Sequence, residues 1–222
     1  MRIEDARQQR YWDRRVGGRM PDHPVVRVFV RQRLEALQRI IAFPETKRFL
    51  DVGTGAGWPL ASFHELVPQV VGLDRSFALL REGAFSVHPL VQGDLYHLPF
   101  KDRSFDIVSC WEVLHHVAQI ETSIREMARV SRRYLVLFEP NRYHPLQFLF
   151  GVLVKEERGT LRSHLPFLKG LLEQAGLRVI HASQAGTIFP NKLPTLLLPL
   201  FRRLPFQSPF GISCMLVAQK SS

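Results

Sequence analysis

Phe49-Leu-Asp-Val-Gly-Thr-Gly-Ala-Gly-Trp-Pro59 joins an apolar run to a glycine-rich turn and a proline. The apolar run from Arg48 to Val52 predicts a short buried strand, which Gly53, Gly55 and Gly57 interrupt. A proline favours the first turn of a helix, so we expect a helix to begin where this stretch ends. A strand, a glycine turn and a helix start suit a nucleotide-like ligand, because glycines let the backbone approach the ligand and free N–H groups face it.

The glycine spacing distinguishes between kinds of nucleotide site. Dinucleotide-binding enzymes carry G-x-G-x-x-G after the first strand. Here the pattern is G-x-G-x-G, with Asp51 inside the strand end and Thr54 between the first two glycines. This spacing disfavours a nicotinamide dehydrogenase. A glycine-rich turn that binds no ligand is the alternative, so the residues further along the chain must decide between the two.

Composition indicates an ordinary globular chain with a basic surface. The 222 residues are 45% hydrophobic and 23% charged, which fits one domain, or one domain with a lid. The formal net charge of +10 can attract nucleic acid, anionic lipid or an acidic substrate. It can equally be a solvated surface, and no Lys/Arg run is long enough to indicate a nucleic-acid patch.

Cysteine usage and hydropathy predict a cytoplasmic protein, with membrane contact as an added possibility. Cys110 and Cys214 have neither a metal-ligand spacing nor a disulfide framework, so we expect buried free thiols. The first residues carry no apolar signal region. No apolar run approaches the roughly 18 residues that a spanning helix needs.

Acidic residues end or follow successive predicted strands. Gln69–Asp74 is a short apolar run that ends in an acid, about twenty residues after the glycine turn, where nucleotide folds place a ribose-binding carboxylate. The alternative for Asp74 is an N-cap of a helix over Ser76–Glu82. After a third predicted strand, Val87–Val91, Asp94 is suited to an adenine amine and Leu95 to its ring. Asp51, Asp74 and Asp94 are then expected at one sheet edge.

Four segments in order, FLDVGTGAG, VVGLD, GDLYHLPF and FDIVSCWEVLHHV, resemble the class I S-adenosylmethionine (SAM) dependent methyltransferases. The small-molecule branch similar to ubiquinone and menaquinone C-methyltransferases (methyltransferase type 11-like) is the nearest match in pattern. The resemblance covers residues 45–140 closely. It implies an α/β fold, a Rossmann-like three-layer sandwich with a seven-stranded, mostly parallel sheet. The last strand is antiparallel and inserted beside the sixth.

The resemblance also implies a domain organisation and a cofactor site for SAM. Residues 1–44 would be an N-terminal helical arm or cap, and 45–222 the SAM-binding domain, with lid segments near 142–162 and 186–210. Tyr11 and Trp12 in the arm either cover the cofactor or dock the arm. The implied cofactor-binding residues are Asp51, Gly53, Thr54, Gly55, Gly57, Asp74, Arg75, Asp94, Leu95, Cys110 and Trp111.

Methyl transfer requires a base only where the acceptor must lose a proton. His115 and His116, just after the fourth predicted strand, are the candidates, with a structural role as the alternative. Glu112 either accepts the ammonium of the cofactor or a substrate proton, or starts a helix. Residues after the fifth strand face the acceptor or form a surface loop: Glu139, Asn141, Tyr143 and His144. No metal-ligand cluster is expected, because adjacent histidines point differently on most backbones.

The predicted lid segments are rich in Leu, Phe and Pro and contain Arg142, Arg202 and Arg203. Such a lid favours a small apolar or lipid-like acceptor, with arginines for a carboxylate or phosphate. Ordinary core packing is the alternative, and Leu196–Leu200 also suits a membrane surface. A methyltransferase acting on RNA or protein, or a non-catalytic SAM-binding or partner-binding protein of the same fold, are the competing functions. Nucleic acid is a less favoured partner, and the sequence leaves the oligomeric state open.

Overall fold

A computed structural model describes residues 3–15, 17–83 and 88–220, which form one seven-stranded sheet with flanking helices. The strands are β1 Arg48–Val52, β2 Gln69–Asp74, β3 Leu90–Gln92, β4 Phe105–Trp111, β5 Ser131–Pro140, β6 Leu177–Ala185 and β7 Ser213–Lys220. The α-helices are α1 Ile3–Asp13, α2 Pro24–Gln38, α3 Leu60–His64, α4 Phe77–Glu82, α5 Ile120–Val130, α6 Pro145–Leu153, α7 Leu165–Gln174 and α8 Leu198–Phe201.

The strand order is β3-β2-β1-β4-β5-β7-β6. Each pair from β3 to β5 is parallel, and β7 runs antiparallel to both of its neighbours, β5 and β6. The predicted α/β Rossmann-like sandwich, with an antiparallel last strand beside the sixth, is therefore confirmed. The order reverses between β1 and β4, which places a crevice for ligand at the carboxyl ends of these strands.

Two apolar clusters cover the two faces of the sheet, because side chains alternate along each strand. Phe49 of β1 packs in the cluster that includes α2 and α3. Its neighbour Leu50 packs in the other cluster, which includes α5 and α7. Helix α5 fits this arrangement because its apolar residues recur at helical spacing: Ile120, Ile124, Met127 and Ala128 are all buried.

Helix α2 belongs to the core of the domain rather than to a detached arm. His23 caps it through Nδ1, which accepts from the N–H of Val25. The buried side of the helix includes Val26, Phe29 and Leu37, which belong to the same apolar cluster as the sheet residue Ile107. The helix ends at Gln38, and a short 3-10 helix occupies Phe43–Glu45.

Three further details differ from the sequence prediction or extend it. The third strand begins at Leu90, and Val87 lies outside the described residues. Helix α7 is capped by His164, whose Nδ1 accepts from Phe167 N. The predicted lid near 142–162 consists of α6 and a 3-10 helix over Lys155–Arg162. Among the described residues, every helix is too short or too polar to cross a bilayer.

Candidate active site

The glycine turn after β1 is bound tightly to β2. Gly53, Gly55 and Gly57 all have positive φ angles, of +77°, +53° and +79°. Gly53 N donates to the carbonyl of Leu73 over 2.7 Å. A Cβ on Gly53 would lie 2.4 Å from Val113 Cγ2, so only glycine fits there. Helix α3 begins after this turn and has only five residues, so the turn itself, and not a long helix, presents the backbone to a ligand.

Asp74 links the end of β2 to the glycine turn. Its Oδ2 accepts from Gly55 N and its Oδ1 from Ser76 N, each over 2.8 Å. Ser76 is the N-cap of α4, since its hydroxyl accepts from Leu79 N, so the alternative of Asp74 as the cap is wrong. Burial raises the pKa of Asp74, and the backbone N–H groups oppose that shift. Each carboxylate oxygen retains a lone pair for a ligand hydroxyl.

Asp51 is a buried acid at the end of β1. Its Oδ1 accepts from the Ser109 hydroxyl over 2.6 Å. Burial raises the pKa of this carboxyl to about 7, although the Ser109 hydrogen bond lowers it. Asp94 follows β3 and accepts from Tyr96 N through Oδ1. The three acids of the predicted series all line one cavity.

This cavity has a volume of about 600 Å³. The predicted cofactor residues that line it are Asp51, Gly53, Thr54, Gly55, Asp74, Arg75, Asp94, Leu95 and Trp111. Gly57 and Cys110 do not line it. Cys110 is fully buried in the cluster beneath α5 and α7, because side chains alternate along β4 and that of Trp111 takes the opposite face. Burial raises the pKa of the Cys110 thiol well above its ordinary value.

The side chain of Trp111, at the end of β4, fits a bound polar ligand. The Trp111 indole N–H is buried and has no hydrogen-bond partner among the described residues. A buried donor without a partner is costly, so an acceptor atom from a ligand in the cavity would satisfy it. Together with the glycine turn and Asp74, this donor fits a cofactor of the SAM type.

Glu112 has a φ of +57°, which is unusual for a residue other than glycine and is typical of strained functional positions. It does not start a helix. Its Oε1 accepts from the Ser213 hydroxyl over 2.7 Å and lies 3.6 Å from Nη2 of the buried Arg33. Burial raises the pKa of Glu112, while the Arg33 charge opposes that shift. Glu112 lines the cavity, where its carboxylate can accept an ammonium group.

The four candidates at and after the end of β5 do not line the cavity. Glu139 is fully buried and accepts from Val113 N and Leu114 N through Oε1, each over 2.8 Å. Its Oε2 accepts from the backbone N and from Nδ1 of His115. Asn141 is buried and donates to the Gly211 carbonyl, whereas Tyr143 is exposed. Glu139 thus holds the turn after β4 in place, since all its bonds go to that turn.

His115 and His116 both line the cavity, and their rings lie together. Their centroids are 3.8 Å apart, so the expectation that adjacent histidines diverge is wrong here. The cause is that Nδ1 of each ring is held. His115 Nδ1 bonds to Glu139, and His116 Nδ1 lies 3.2 Å from the Glu156 carbonyl. Both Nε2 atoms then face Glu157, at 3.4 and 3.8 Å from its Oε2.

The two imidazoles differ in their proton affinity. Burial lowers the pKa of His115, but the charges of Glu139 and Glu157 outweigh it and raise the pKa to about 10. Burial and the neighbouring His115 charge lower the pKa of His116 to about 3. Neither ring combines a free lone pair with a pKa near neutrality, which is what a general base requires.

The remaining wall of the cavity comes from the predicted N-terminal arm and from the predicted lid segments. Apolar side chains from the arm, from α6 and from the following loops line it: Trp12, Leu146, Phe150 and Phe189. Trp12 packs edge-on against His116 at 4.9 Å, and Asp13 accepts from the Ser76 hydroxyl. Helix α1 therefore reaches from α4 to His116 across the cavity. Arg142, Arg202 and Arg203 do not line the cavity, and Arg15, Arg19 and Lys192 do.

Comparisons with known proteins agree with this geometry. Residues 50–136 match the family model of a methyltransferase domain. A demethylmenaquinone methyltransferase from Roseiflexus is 35% identical over 99 residues, which are 42% of this chain and 42% of that protein. A malonyl-[acyl-carrier protein] O-methyltransferase from Legionella pneumophila is 35% identical over 103 residues, 43% of this chain and 36% of that protein. The chain thus spans about two fifths of the length of these relatives.

A SAM-dependent methyltransferase from Thermotoga maritima has a similar fold. Its TM-score is 0.67 at 17% sequence identity, and the superposition covers 89% of this chain and 92% of that one. Such low identity carries the fold alone. The segment that matches the family model contains the glycine turn and all three acids of the cavity, Asp51, Asp74 and Asp94. Residues 50–136 of the chain therefore match a methyltransferase domain, on a fold similar to that of a known SAM-dependent methyltransferase.

Proposed function

We propose that the protein transfers a methyl group from SAM to a small, apolar or lipid-like acceptor. The observation that carries this proposal is a single cavity with two chemically different walls. One wall holds the acids and backbone groups of the glycine turn, and the other holds Trp12, Leu146, Phe150 and Phe189. A polar cofactor and an apolar acceptor can occupy such a cavity together.

The polar wall would hold SAM through groups that match its parts. Asp74 would accept from ribose hydroxyls, and Asp94 with Leu95 would bind the adenine. Glu112 and Asp51 would face the positively charged end. SAM supplies a methyl group on a sulfonium, and the protein supplies position. Holding two reactants in line can contribute roughly 7–11 kcal/mol to lowering the barrier, so a general base is not obligatory. His115 and His116 stay the candidates for contact with the acceptor.

The apolar wall supports the acceptor class. Leu146 and Phe150 of α6 line the cavity, and the same helix exposes Phe148, Leu149 and Leu153 to solvent. Beyond α6, Leu196, Leu200 and Phe210 are 89%, 60% and 79% exposed. Exposed apolar residues on a helix that lines the apolar wall of the cavity, and in the segments that follow it in sequence, suit an acceptor delivered from a lipid phase. Two relatives, a demethylmenaquinone methyltransferase and a malonyl-[acyl-carrier protein] O-methyltransferase, also favour a small acceptor or one on a carrier.

Calorimetric titration with SAM and with S-adenosylhomocysteine tests the cofactor half of the proposal. The wild type should bind both at one site per chain, and Asp74→Ala should weaken binding at least about tenfold, because two ribose hydroxyls lose their acceptor. Asp102→Ala is the matched control, since Asp102 is exposed and pairs with Arg129 away from the cavity. Equal affinity of Asp74→Ala and wild type would refute the assigned ribose contact.

Methyl transfer from radiolabelled SAM tests the acceptor half. The panel consists of hydroquinones with and without an isoprenoid tail and, as the polar arm, a small RNA and a protein lysate. Label in the extracted organic phase supports the proposal. Label confined to RNA or protein would overturn the acceptor class, and SAM binding without transfer to any member would favour a non-catalytic role.

A further inference from the structure

We propose that His115, His116 and Glu157 bind one divalent transition-metal ion on the wall of the cavity. These three residues come from two segments far apart in the sequence. The histidines lie on a 3-10 helix over Leu114–His116, and Glu157 lies on the 3-10 helix that follows α6. Their candidate ligand atoms all lie within 4.8 Å of one another, and all three residues are buried.

The spacing of the ligand atoms fits a small ion. Ligand atoms about 2.0–2.2 Å from a tetrahedral zinc ion lie about 3.3–3.6 Å from one another. Glu157 Oε2 is 3.4 Å from His115 Nε2 and 3.8 Å from His116 Nε2. Small side-chain rotations would therefore bring these atoms to bonding distance of one ion.

The second nitrogen of each imidazole is already held, which is the usual arrangement around a metal-binding histidine. His115 Nδ1 lies 2.8 Å from the Glu139 carboxylate, and His116 Nδ1 lies 3.2 Å from the Glu156 carbonyl. The Glu139 carboxylate and the Glu156 carbonyl can only accept hydrogen bonds, so each Nδ1 must carry the hydrogen. In the neutral tautomers both Nε2 lone pairs therefore point at the Glu157 carboxylate. A proton on His115 Nε2 relieves the repulsion between these groups in the metal-free protein, and a bound metal ion would replace that proton and pair with all three ligand atoms.

The donor set indicates the kind of ion. Two imidazoles and one carboxylate suit zinc and other first-row divalent ions better than magnesium or calcium, which prefer oxygen ligands. Three protein ligands leave a coordination position for water or substrate, as in catalytic zinc sites. All three residues line the cavity, so this position is accessible from it. The Tyr11 hydroxyl lies 3.5 Å from Glu157 Oε1 and further fixes that carboxylate.

A metal in this place would give the two histidines a role that their own proton affinities do not support. The bound ion would hold an acceptor oxygen and lower its pKa, so that the proton leaves to solvent before methylation. This role rests on the proposed function. Binding of the ion itself does not, because it requires neither SAM nor an acceptor.

The experiment uses full-length, tag-free protein that has been stripped with a chelator and desalted. Cobalt(II) is added and followed by visible absorption, and zinc(II) by calorimetry. One ion per chain is expected, with cobalt bands of nitrogen and oxygen coordination and without the thiolate charge-transfer band that Cys110 or Cys214 would give. Glu157→Gln should weaken zinc binding by more than the about 10–100-fold that the loss of an outer partner costs.

Glu156→Gln is the matched control, because it makes the same change at the adjacent residue and leaves the Glu156 carbonyl on His116 intact. It should bind zinc as the wild type does. His116→Asn is the second variant, should circular dichroism show that Glu157→Gln is unfolded. Binding below one ion per chain, or zinc affinity unchanged in Glu157→Gln or His116→Asn, overturns the metal site. SAM binding to the stripped protein is measured in a separate titration. A failure of the cofactor proposal can therefore be distinguished from a failure of the metal site.

Discussion

The surroundings of Asp51 oppose the ionisation of its carboxyl group. The residue is almost fully buried, and its nearest described partner is the neutral hydroxyl of Ser109. The sequence predicted that Asp51 belongs to the cofactor site, because an acid inside the strand end before this glycine turn resembles the first motif of SAM-dependent methyltransferases. It could not predict the pKa, which depends on burial by strands that are distant in sequence. A positively charged ligand in the cavity would favour the ionised form.

The pKa of Asp51 predicts how stability depends on pH. Between about pH 4 and pH 7 the folded protein keeps the proton of Asp51 and the unfolded chain has lost it, so the free energy of unfolding falls as pH rises. Asp51→Asn keeps the oxygen that accepts from Ser109 and removes the titration. Relative to wild type, the variant should gain about 1.4 kcal/mol per unit of pKa shift across this window.

Urea unfolding of the ligand-free protein at about pH 4.5, 6 and 8 measures the difference. Asp74 and Glu112, whose pKa values are also raised, are common to both proteins and cancel in the comparison. A constant difference between variant and wild type over the three pH values would contradict the assigned pKa.

Other residues of the site differ in how far the sequence could predict them. Asp74 and Asp94 follow strands, and the carboxyl ends of parallel strands meet at one edge, so their convergence was predictable. Glu157 follows no strand and lies on a 3-10 helix about forty residues after His115, so no sequence pattern indicates that the two side chains meet. Cys110 was assigned to the site although strand alternation directs it to the core.

At the scale of elements, the turn after β4 depends on a single side chain from β5. Glu139 accepts four hydrogen bonds from the turn, three from backbone N–H groups and one from the His115 ring. A longer helix would satisfy these N–H groups with its own backbone carbonyls, and here the Glu139 carboxylate takes their place. The position of both histidines, and of the strained Glu112 just before them, therefore follows from one carboxylate.

Replacing Glu139 should unfold this turn first. Glu139→Ala leaves several buried donors without an acceptor, and breaking such a buried pair costs about 3–5 kcal/mol. Glu45→Ala is the control, because Glu45 makes a 2.7 Å ion pair with Arg133 on the surface. A surface pair contributes about 0–1 kcal/mol. Urea unfolding of both variants tests the contrast, and equal losses would show that Glu139 is not the anchor.

Some elements of the fold were easier to predict from the sequence than others. The strands of the sheet core could be predicted from short apolar runs. The segments around α6 and α8 could not, because Leu, Phe and Pro suit a lid, a core and a membrane surface alike. Only the folded chain separates those roles, with Leu146 and Phe150 lining the cavity and Leu153 facing outward.

For the whole molecule, the N-terminal forty or so residues contain two parts with different roles. Helix α1 contacts the rest of the protein at the rim of the cavity. Trp12 packs against His116, and Asp13 accepts a hydrogen bond from Ser76. Helix α2 buries Val25, Val26 and Leu37 completely. The sequence assigned both helices to one cap over residues 1–44, because burial against a distant sheet leaves no local signal.

Two truncations separate these roles. Removing residues 1–18 should leave a cooperatively folding domain with weaker SAM binding, because the apolar cover of the cavity is lost. Removing residues 1–44 should abolish folding, since each fully buried aliphatic side chain contributes about 1.5–3 kcal/mol and the total stability of a domain is about 5–15 kcal/mol. Near-ultraviolet circular dichroism and thermal unfolding measure both. A folded 45–222 fragment would instead establish residue 44 as a true domain boundary.

The insertion of β7 between β5 and β6 has a consequence for biosynthesis. The ribosome makes β6 well before β7, yet among the described strands β6 pairs only with β7, apart from an isolated bridge of Ala185 with Gln207. Until β7 is made, one edge of the apolar β5 lacks its partner strand, and such an open edge is prone to pairing with other chains. The sheet can close only after β7 emerges, so the last step of folding must follow translation of Ser213–Lys220, and chaperone protection is most needed just before it.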